Sequence, residues 1–205
     1  MKIELINCRG FNAALFGIGL SHGLTSGKRP EDISDPVGDK MPNELRERLE
    51  KVAGRLAPMD GGHNKFLRQI VYWWDATLPR FLWQEVDQYR IGVTTQSEST
   101  MHTIMHRNLV QDDFEEPIHP TILEHVNGCI NFYKIASPEN KQVWFLKLKN
   151  ELPEGFLQRR VWSMSLANMK NIYHQRRNHR LPQWKQICEA FVEATPDFLR
   201  GMYNG

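Results

Sequence analysis

Apolar and polar positions alternate through MKIELINC, the first eight residues, as in a half-buried strand, and Gly10 ends the run. Residues 11–20 are apolar enough for a core helix. Residues 22–43 hold Gly27, Pro30, Pro36, Gly38 and Pro42 and read as a loop long enough to be functional. NELRERLEKVAGRL (43–56) has helical spacing behind an Asn43 N-cap. After a Gly61-Gly62 turn, HNKFLRQIVYWWDATLPRFLWQEVDQYR reads as two helices parted near Pro79, and YRIGVTT (89–95) as a strand. STMHTIMHR has helical spacing. HPTILEHVNGCINFYKI and SPENKQVWFLKLKN are two further helices, the second opened by Ser137-Pro138-Glu139. Leu152-Pro153 breaks the chain before one long amphipathic helix, GFLQRRVWSMSLANMKNIYHQRR, and a last helix starts near Pro182. The sum is an α+β protein, with helices around a modest, mostly antiparallel sheet, in a single domain spanning residues 1–205.

The length of 205 residues bounds the answer at one sizeable domain or two small ones. An apolar content of 40% and a charged content of 24% are those of an ordinary globular protein. The formal net charge is +2, and a non-specific nucleic-acid binder would carry a larger excess. No apolar run approaches the roughly 20 residues that span a bilayer, so no membrane partner is expected. GFNAALFGIGL (10–20) is as apolar as the core of a signal peptide, but Glu4 precedes it and SHGLTSGK follows it as a poor cleavage site. Cys8, Cys129 and Cys188 sit among apolar neighbours, as reduced packing residues of a cytoplasmic protein do. There is no Cys-x-x-Cys pair and hence no zinc framework.

Four groups of residues carry candidate chemistry. His102 and His106 stand four apart, which is metal-ligand spacing, but no acidic residue lies between them as in His-Glu-x-x-His and no third ligand is evident, so no metal is expected. Tyr72, Trp73, Trp74, Trp83 and Trp144 are able to stack on a planar ring, although aromatics at helical spacing more often form core. Ser97-Glu98-Ser99-Thr100 is a hydroxyl-rich turn that suits a phosphate and equally suits a plain helix cap. HQRRNHRLPQW (174–184) packs Arg176, Arg177 and Arg180 with His174 and His179 into seven residues. Like charges three or four apart repel by a few tenths of a kcal/mol per pair. The stretch is either a solvated basic end, where cations suit the negative pole of the helix, or a site where a guanidinium grips a phosphate or a pyrimidine edge. Residue chemistry leaves both open.

Taken in order, these pieces resemble the flavin-dependent thymidylate synthases. The resemblance starts with a strand and an apolar helix, MKIELINC and FNAALFGIGL, continues with Gly62-His63 before a helix, and passes Arg80 into the family's signature segment. Leu152-Pro153, Trp162, Asn171, Arg176-Arg177 and Gln183-Trp184 follow at nearly the family's spacing. The signature itself departs. Gln88-Tyr89-Arg90 stands where the family has Arg-His-Arg, Val93 where it has serine, Thr95-Gln96 where it has Asn-Glu, and Glu98-x-Thr100 where it has Ser-x-Arg.

The resemblance implies an enzyme that transfers a one-carbon unit to C5 of a pyrimidine deoxynucleotide monophosphate, dUMP or dCMP, leaving a methyl or hydroxymethyl group. FAD is the implied cofactor, with methylenetetrahydrofolate and a reduced nicotinamide as co-substrates, in a homotetramer that binds no nucleic acid. Arg176 or Arg177 would polarise the pyrimidine. Gln96, Ser97, Glu98, Ser99 and Lys149 would hold the nucleotide, and His63, Gln88, Tyr89, Arg90, Ile91 and Asn171 the flavin. Glu85 stands where the family tends to have glutamine, and a carboxylate there accepts from the cytosine amine but not from the uracil O4. Two other classes remain: a flavin-free relative serving as a nucleotide-binding or assembly subunit, and a nucleic-acid binder using 174–185 as a basic helix.

Overall fold

The N-terminal alternation forms strand β1 (Lys2–Arg9), and the apolar run after it forms helix α1 (Phe11–Ser21), in a computed structural model that describes residues 1–29 and 41–204. Part of the expected loop, residues 30–40, lies outside the described residues. Gly10 makes the turn between the two elements. Its φ is +100°, and a Cβ there would stand 2.1 Å from the Gln69 carbonyl oxygen, so glycine is required for both conformation and space.

Helix α2 (Asn43–Leu56) follows, then strand β2 (Val71–Pro79), helix α3 (Arg80–Val86), strand β3 (Val93–Ser97) and the single turn α4 (Thr100–Thr103). Next come α5 (Pro120–Ile135), α6 (Pro138–Glu151), strand β4 (Leu157–Ser165), α7 (Leu166–Arg176) and α8 (Pro182–Ala194). The strands form one antiparallel sheet in the order β1-β2-β4-β3, so the expected α+β class holds.

Two segments expected as helix are strands. In VYWWDATLP, Tyr72, Trp74, Ala76 and Leu78 are buried while Val71, Trp73, Asp75 and Thr77 are partly exposed, which is a period of two. The density of apolar residues there hides that period from a helical count. In LQRRVWSMS, Trp162 and Met164 are buried and alternate with Ser163 and Ser165. The helix begins only at Leu166, behind a Ser165 cap whose hydroxyl accepts from the Asn168 N–H. At α2 the N-cap is Pro42, and Asn43 is the first helical residue. The strand expected at 89–95 lies later, at Val93–Ser97, and the helix expected at 99–107 is only one turn long.

The chain divides into two compact units, each taking part of every strand. The first comprises Met1–Ile3, Asp75–Arg90 and Thr95–Val161. Its core is built on the α5–α6 hairpin, where Val126, Cys129, Ile130, Phe145 and Leu148 pack with Ile104, Met105, Leu109 and Phe114. The second comprises Glu4–Trp74, Ile91–Thr94 and Trp162–Gly205. Its core is aromatic. Phe191 of α8 lies 5.4 Å from the Trp74 ring and 5.8 Å from that of Trp162, and Trp74 stacks on Tyr72 at 6.1 Å. Such aromatic pairs add about 0.5–1.5 kcal/mol each beyond the area they bury. Of the aromatic residues that sequence left between core and ligand platform, Tyr72, Trp74 and Trp83 are buried core, while Trp73 is partly exposed and Trp144 stacks on Phe132.

Candidate functional site

In the second unit the face of α7 opposite the core opens on a cleft of about 1040 Å³. Leu166, Met169 and Ile172 of this helix are buried, while Asn168, Asn171 and His174 line the cleft, one turn apart. Gly61, Gly62 and Asn64 line it from the turn before the short 3₁₀ segment Lys65–Gln69, with Arg68 of that segment. Ile91 and Gly92 form another part of the rim, and Ser163 and Ser165 of β4 complete its polar character.

The rim is held by specific bonds. Asn168 Nδ2 donates to the Ile91 carbonyl at 2.9 Å, and its Oδ1 accepts from the Ser165 N–H at 3.3 Å. Gly92 has φ +70°, and a Cβ there would lie 3.4 Å from the Asn168 Oδ1. Lys170 Nζ donates to the carbonyls of Ala57 (3.2 Å) and Pro58 (2.9 Å) and pairs with Asp60 (3.4 Å), which fastens the 57–60 segment to α7. His174 Nε2 donates to the Met202 carbonyl at 2.8 Å. Arg68 and Lys170 against Asp60, with the asparagine amides beside them, leave a lining that suits an anionic, hydrogen-bonding ligand.

In the first unit, Gln96 and Ser97 end β3, and Ser97, Glu98 and Ser99 form the turn before α4. The Glu98 N–H donates to the Arg159 carbonyl (2.9 Å), and Gln158 Nε2 donates to the Glu98 carbonyl (3.2 Å). Lys149 Nζ reaches Thr100 Oγ1 at 2.7 Å, although 49 residues separate them in the chain. Burial first, and then the nearby charge of Arg80, lower the Lys149 ammonium below its ordinary pKa. A desolvated cation at a hydroxyl-rich turn gains from an incoming anion. Glu98 also lines a small pocket of about 280 Å³ with Arg107 and Arg159. Arg107 pairs there with Asp113. Burial alone would raise the Asp113 carboxyl, but bonds from Arg107 and from the Val110 N–H outweigh it and hold it low.

The other residues singled out from the sequence fall as follows. Ile91 and Asn171 line the cleft, and His63 stands between two residues that do. Gln88, Tyr89 and Arg90 continue the end of α3 as a turn, with Gln88 N–H bonded to Glu85 O (3.3 Å), Tyr89 N–H to Val86 O (3.0 Å) and Arg90 Nε to Asp87 O (3.1 Å). Glu85 is half-buried on α3. Asp87, its neighbouring carboxylate, takes two bonds from Arg160 Nη1, at 3.0 and 3.1 Å. Arg160 in turn lies 4.4 Å over the Trp83 ring. The guanidinium of Arg176 stacks over Trp184 at 4.9 Å. Arg177 lies over Tyr173 at 5.8 Å and donates to the Tyr203 carbonyl at 3.4 Å. Of the stretch 174–184, His174 lines the cleft. His102 and His106 are exposed, and only His102 belongs to α4.

Two signals were passed over in the sequence. Ser165-x-x-Asn168 has the spacing of a capping box, and it marks both where α7 starts and which asparagine holds the rim. Lys170 and Arg68 carry no local signal, because their roles depend on segments far away in the chain.

No protein-family model matches the chain, and no curated protein is significantly similar to it. Solved structures do match. A crystal structure of thymidylate synthase X from Helicobacter pylori with FAD and dUMP aligns with a TM-score of 0.69 at 14% identity. A second, of the flavin-dependent thymidylate synthase of the same organism complexed with FAD and dUMP, aligns with a TM-score of 0.69 at 13% identity. Each alignment covers 100% of this chain and 98% of the other. The chain shares their fold. Among the described residues no helix is long and apolar enough to cross a membrane.

Proposed function

We propose that this chain, taken over residues 1–205 as one domain, is an enzyme of the flavin-dependent thymidylate synthase type. It transfers a one-carbon unit from methylenetetrahydrofolate to C5 of a pyrimidine deoxynucleotide monophosphate. The observation that carries the proposal is the α7 cleft, on a fold shared end to end with structures solved with FAD and dUMP. The cleft suits a flavin dinucleotide in size, being at the upper end of small-molecule pockets. It suits one in chemistry too. Glycines 61, 62 and 92, all at positive φ, let the backbone approach a ligand closely, and asparagine amides offer both donors and acceptors.

Asn168, Asn171, His174 and the Ile91-Gly92 rim would hold the flavin, with His63, Gln88, Tyr89 and Arg90 on the same assignment. The reduced flavin supplies hydride chemistry when bound. The rest is positioning by this chain. Ser97, Ser99 and Lys149 hold the nucleotide phosphate, with Gln96 and Glu98 at the same turn. Arg176 or Arg177 serves the pyrimidine once another copy in a homotetramer is in place. Glu85 favours the cytosine amine, which makes dCMP a substrate to be tested beside dUMP.

The test is direct. The purified chain is titrated with FAD and its visible spectrum recorded, then given methylenetetrahydrofolate, a reduced nicotinamide and either dUMP or dCMP, with the product weighed by mass spectrometry. A bound-flavin spectrum and a product heavier by one carbon unit are expected. A second reading has an observation on its side: Arg176 and Arg177 rest on aromatic rings, and Gln88-Tyr89 replaces the family's Arg-His. On that reading the chain is a flavin-free nucleotide-binding or assembly subunit. Nucleotide binding without any flavin binding would select it.

A further inference from the structure

We propose that His125, Cys129 and Glu151 form a binding site for a zinc-class divalent cation, at the end of the α5–α6 hairpin away from its connection. The site is independent of the function proposed above. His125 and Cys129 stand four apart on α5, so they share one face of the helix, and Glu151 is the last residue of α6. Their ligand atoms, an imidazole nitrogen, a thiol sulfur and a carboxylate oxygen, all lie within 4.8 Å of one another. Tetrahedral zinc, with bonds of about 2.0–2.3 Å, places its ligand atoms roughly 3.5 Å apart. The longest separations must close by up to about 1.3 Å while the hydrogen-bonded His125–Glu151 pair opens, and the two side chains that would move lie at the surface. Those of His125 and Glu151 are 48% and 41% exposed, whereas Cys129 is 2% exposed and anchored in the core.

The donor types select the ion. Nitrogen, sulfur and oxygen together suit zinc, and the thiolate disfavours magnesium and calcium, which prefer oxygen alone. The charges also close: one divalent cation neutralises the Cys129 thiolate and the Glu151 carboxylate. Without the ion, burial first and the Glu151 charge second push the Cys129 thiol up, partly offset by Lys147, so the sulfur holds its proton. His125 Nε2 hydrogen-bonds the Glu151 carboxylate, and the proton of that bond sits between two groups that would share the cation. Binding therefore releases the thiol proton to solvent and requires the His125 Nε2 proton to leave the nitrogen that takes the ion, by transfer to Nδ1. Three protein ligands and a solvent-facing fourth position leave room for a water. The bound ion would fasten the last turn of α6 to α5, and from that turn Lys149 reaches Thr100.

The experiment uses the full chain, stripped of metal and kept reduced. Cobalt(II) is titrated as the spectroscopic probe and zinc(II) as its competitor. One equivalent of cobalt should give a thiolate-to-cobalt charge-transfer band with the strong visible bands of four-coordination, and zinc should abolish both. Cys129→Ser should lose the charge-transfer band. His125→Gln and Glu151→Gln alter exposed side chains, and each should weaken zinc binding by about tenfold or more. Zinc should raise the Tm of the wild type but not that of the His125→Gln, Glu151→Gln double variant. Absence of the band at stoichiometric cobalt overturns the proposal. So does a band that survives Cys129→Ser, which would assign it to Cys8 or Cys188. Should Cys129→Ser fail to fold, the two exposed variants decide, and zinc affinity unchanged in both overturns it.

Discussion

Replacing Asn168 with alanine removes three hydrogen bonds at once. The side-chain oxygen accepts from the Ser165 N–H and hydroxyl, and the side-chain nitrogen donates to the Ile91 carbonyl. The reciprocal half of the capping box survives, because the Ser165 hydroxyl still accepts from the backbone N–H of residue 168. The loss is therefore part of a cap, about 0.5–1 kcal/mol, plus one bond to a carbonyl of about 0.5–1.5 kcal/mol. Together these are about 1–2.5 kcal/mol, with the lower end favoured because Ile91 is 91% exposed and water replaces the lost donor. Urea unfolding followed by tryptophan fluorescence measures the change, and Asn168→Asp separates its parts. Aspartate keeps the acceptor that caps α7 but lacks the donor to Ile91, so it should fall between wild type and alanine. Both variants should weaken FAD binding if the Ile91-Gly92 rim shapes the cleft. An alanine variant within about 0.3 kcal/mol of wild type, the scatter of such comparisons, with FAD affinity unchanged, would refute the assignment of Asn168 to the rim.

Gly10→Ala should cost at least about 2 kcal/mol, since the added Cβ meets the Gln69 carbonyl oxygen at a positive φ, and thermal unfolding or soluble yield reads it. Lys149→Ala should weaken dUMP or dCMP binding about tenfold to a hundredfold, the worth of one charge-assisted bond to phosphate, while Lys149→Arg keeps most of it. Equal calorimetric affinities for all three proteins would remove Lys149 from the phosphate site. Asp113 has its folded pKa lowered from an ordinary value of 3.8, so its pairing with Arg107 stabilises the fold above that value. The stability gap between wild type and Asp113→Asn should be full at pH 6 and shrink as pH falls below 3.8 through the lower folded pKa. A gap that stays constant down to acid pH would show the ion pair to be idle.

The helices α1, α2, α5, α6 and α8 were legible in the sequence because their signals are local. Pro138 after Ser137 and Pro182 after Leu181 mark starts within a single turn, and Leu49, Val52 and Ala53 mark a buried face within two. β2 and β4 were not legible. Arg159 of β4 donates to Asp75 of β2, and the Leu166 N–H after β4 bonds the Ile70 carbonyl before β2, so each strand is completed by a partner about ninety residues away. Without that partner, an apolar run such as IVYWWDATL satisfies a helical count as well as an alternating one.

The same distinction runs through the candidate sites. Sequence by itself determined the residue types: a hydroxyl turn at 97–100, a basic stretch at 174–180 and an asparagine-bearing helix before it. Tertiary structure alone decided their company. It put Lys149 on Thr100, Arg176 over Trp184, Arg177 over Tyr173 and Glu151 against His125. Capping and periodicity act through atoms a few residues apart and can be read along the chain. Which cation reaches which acceptor depends on loops closed over tens of residues, and only the packed core holds those loops shut.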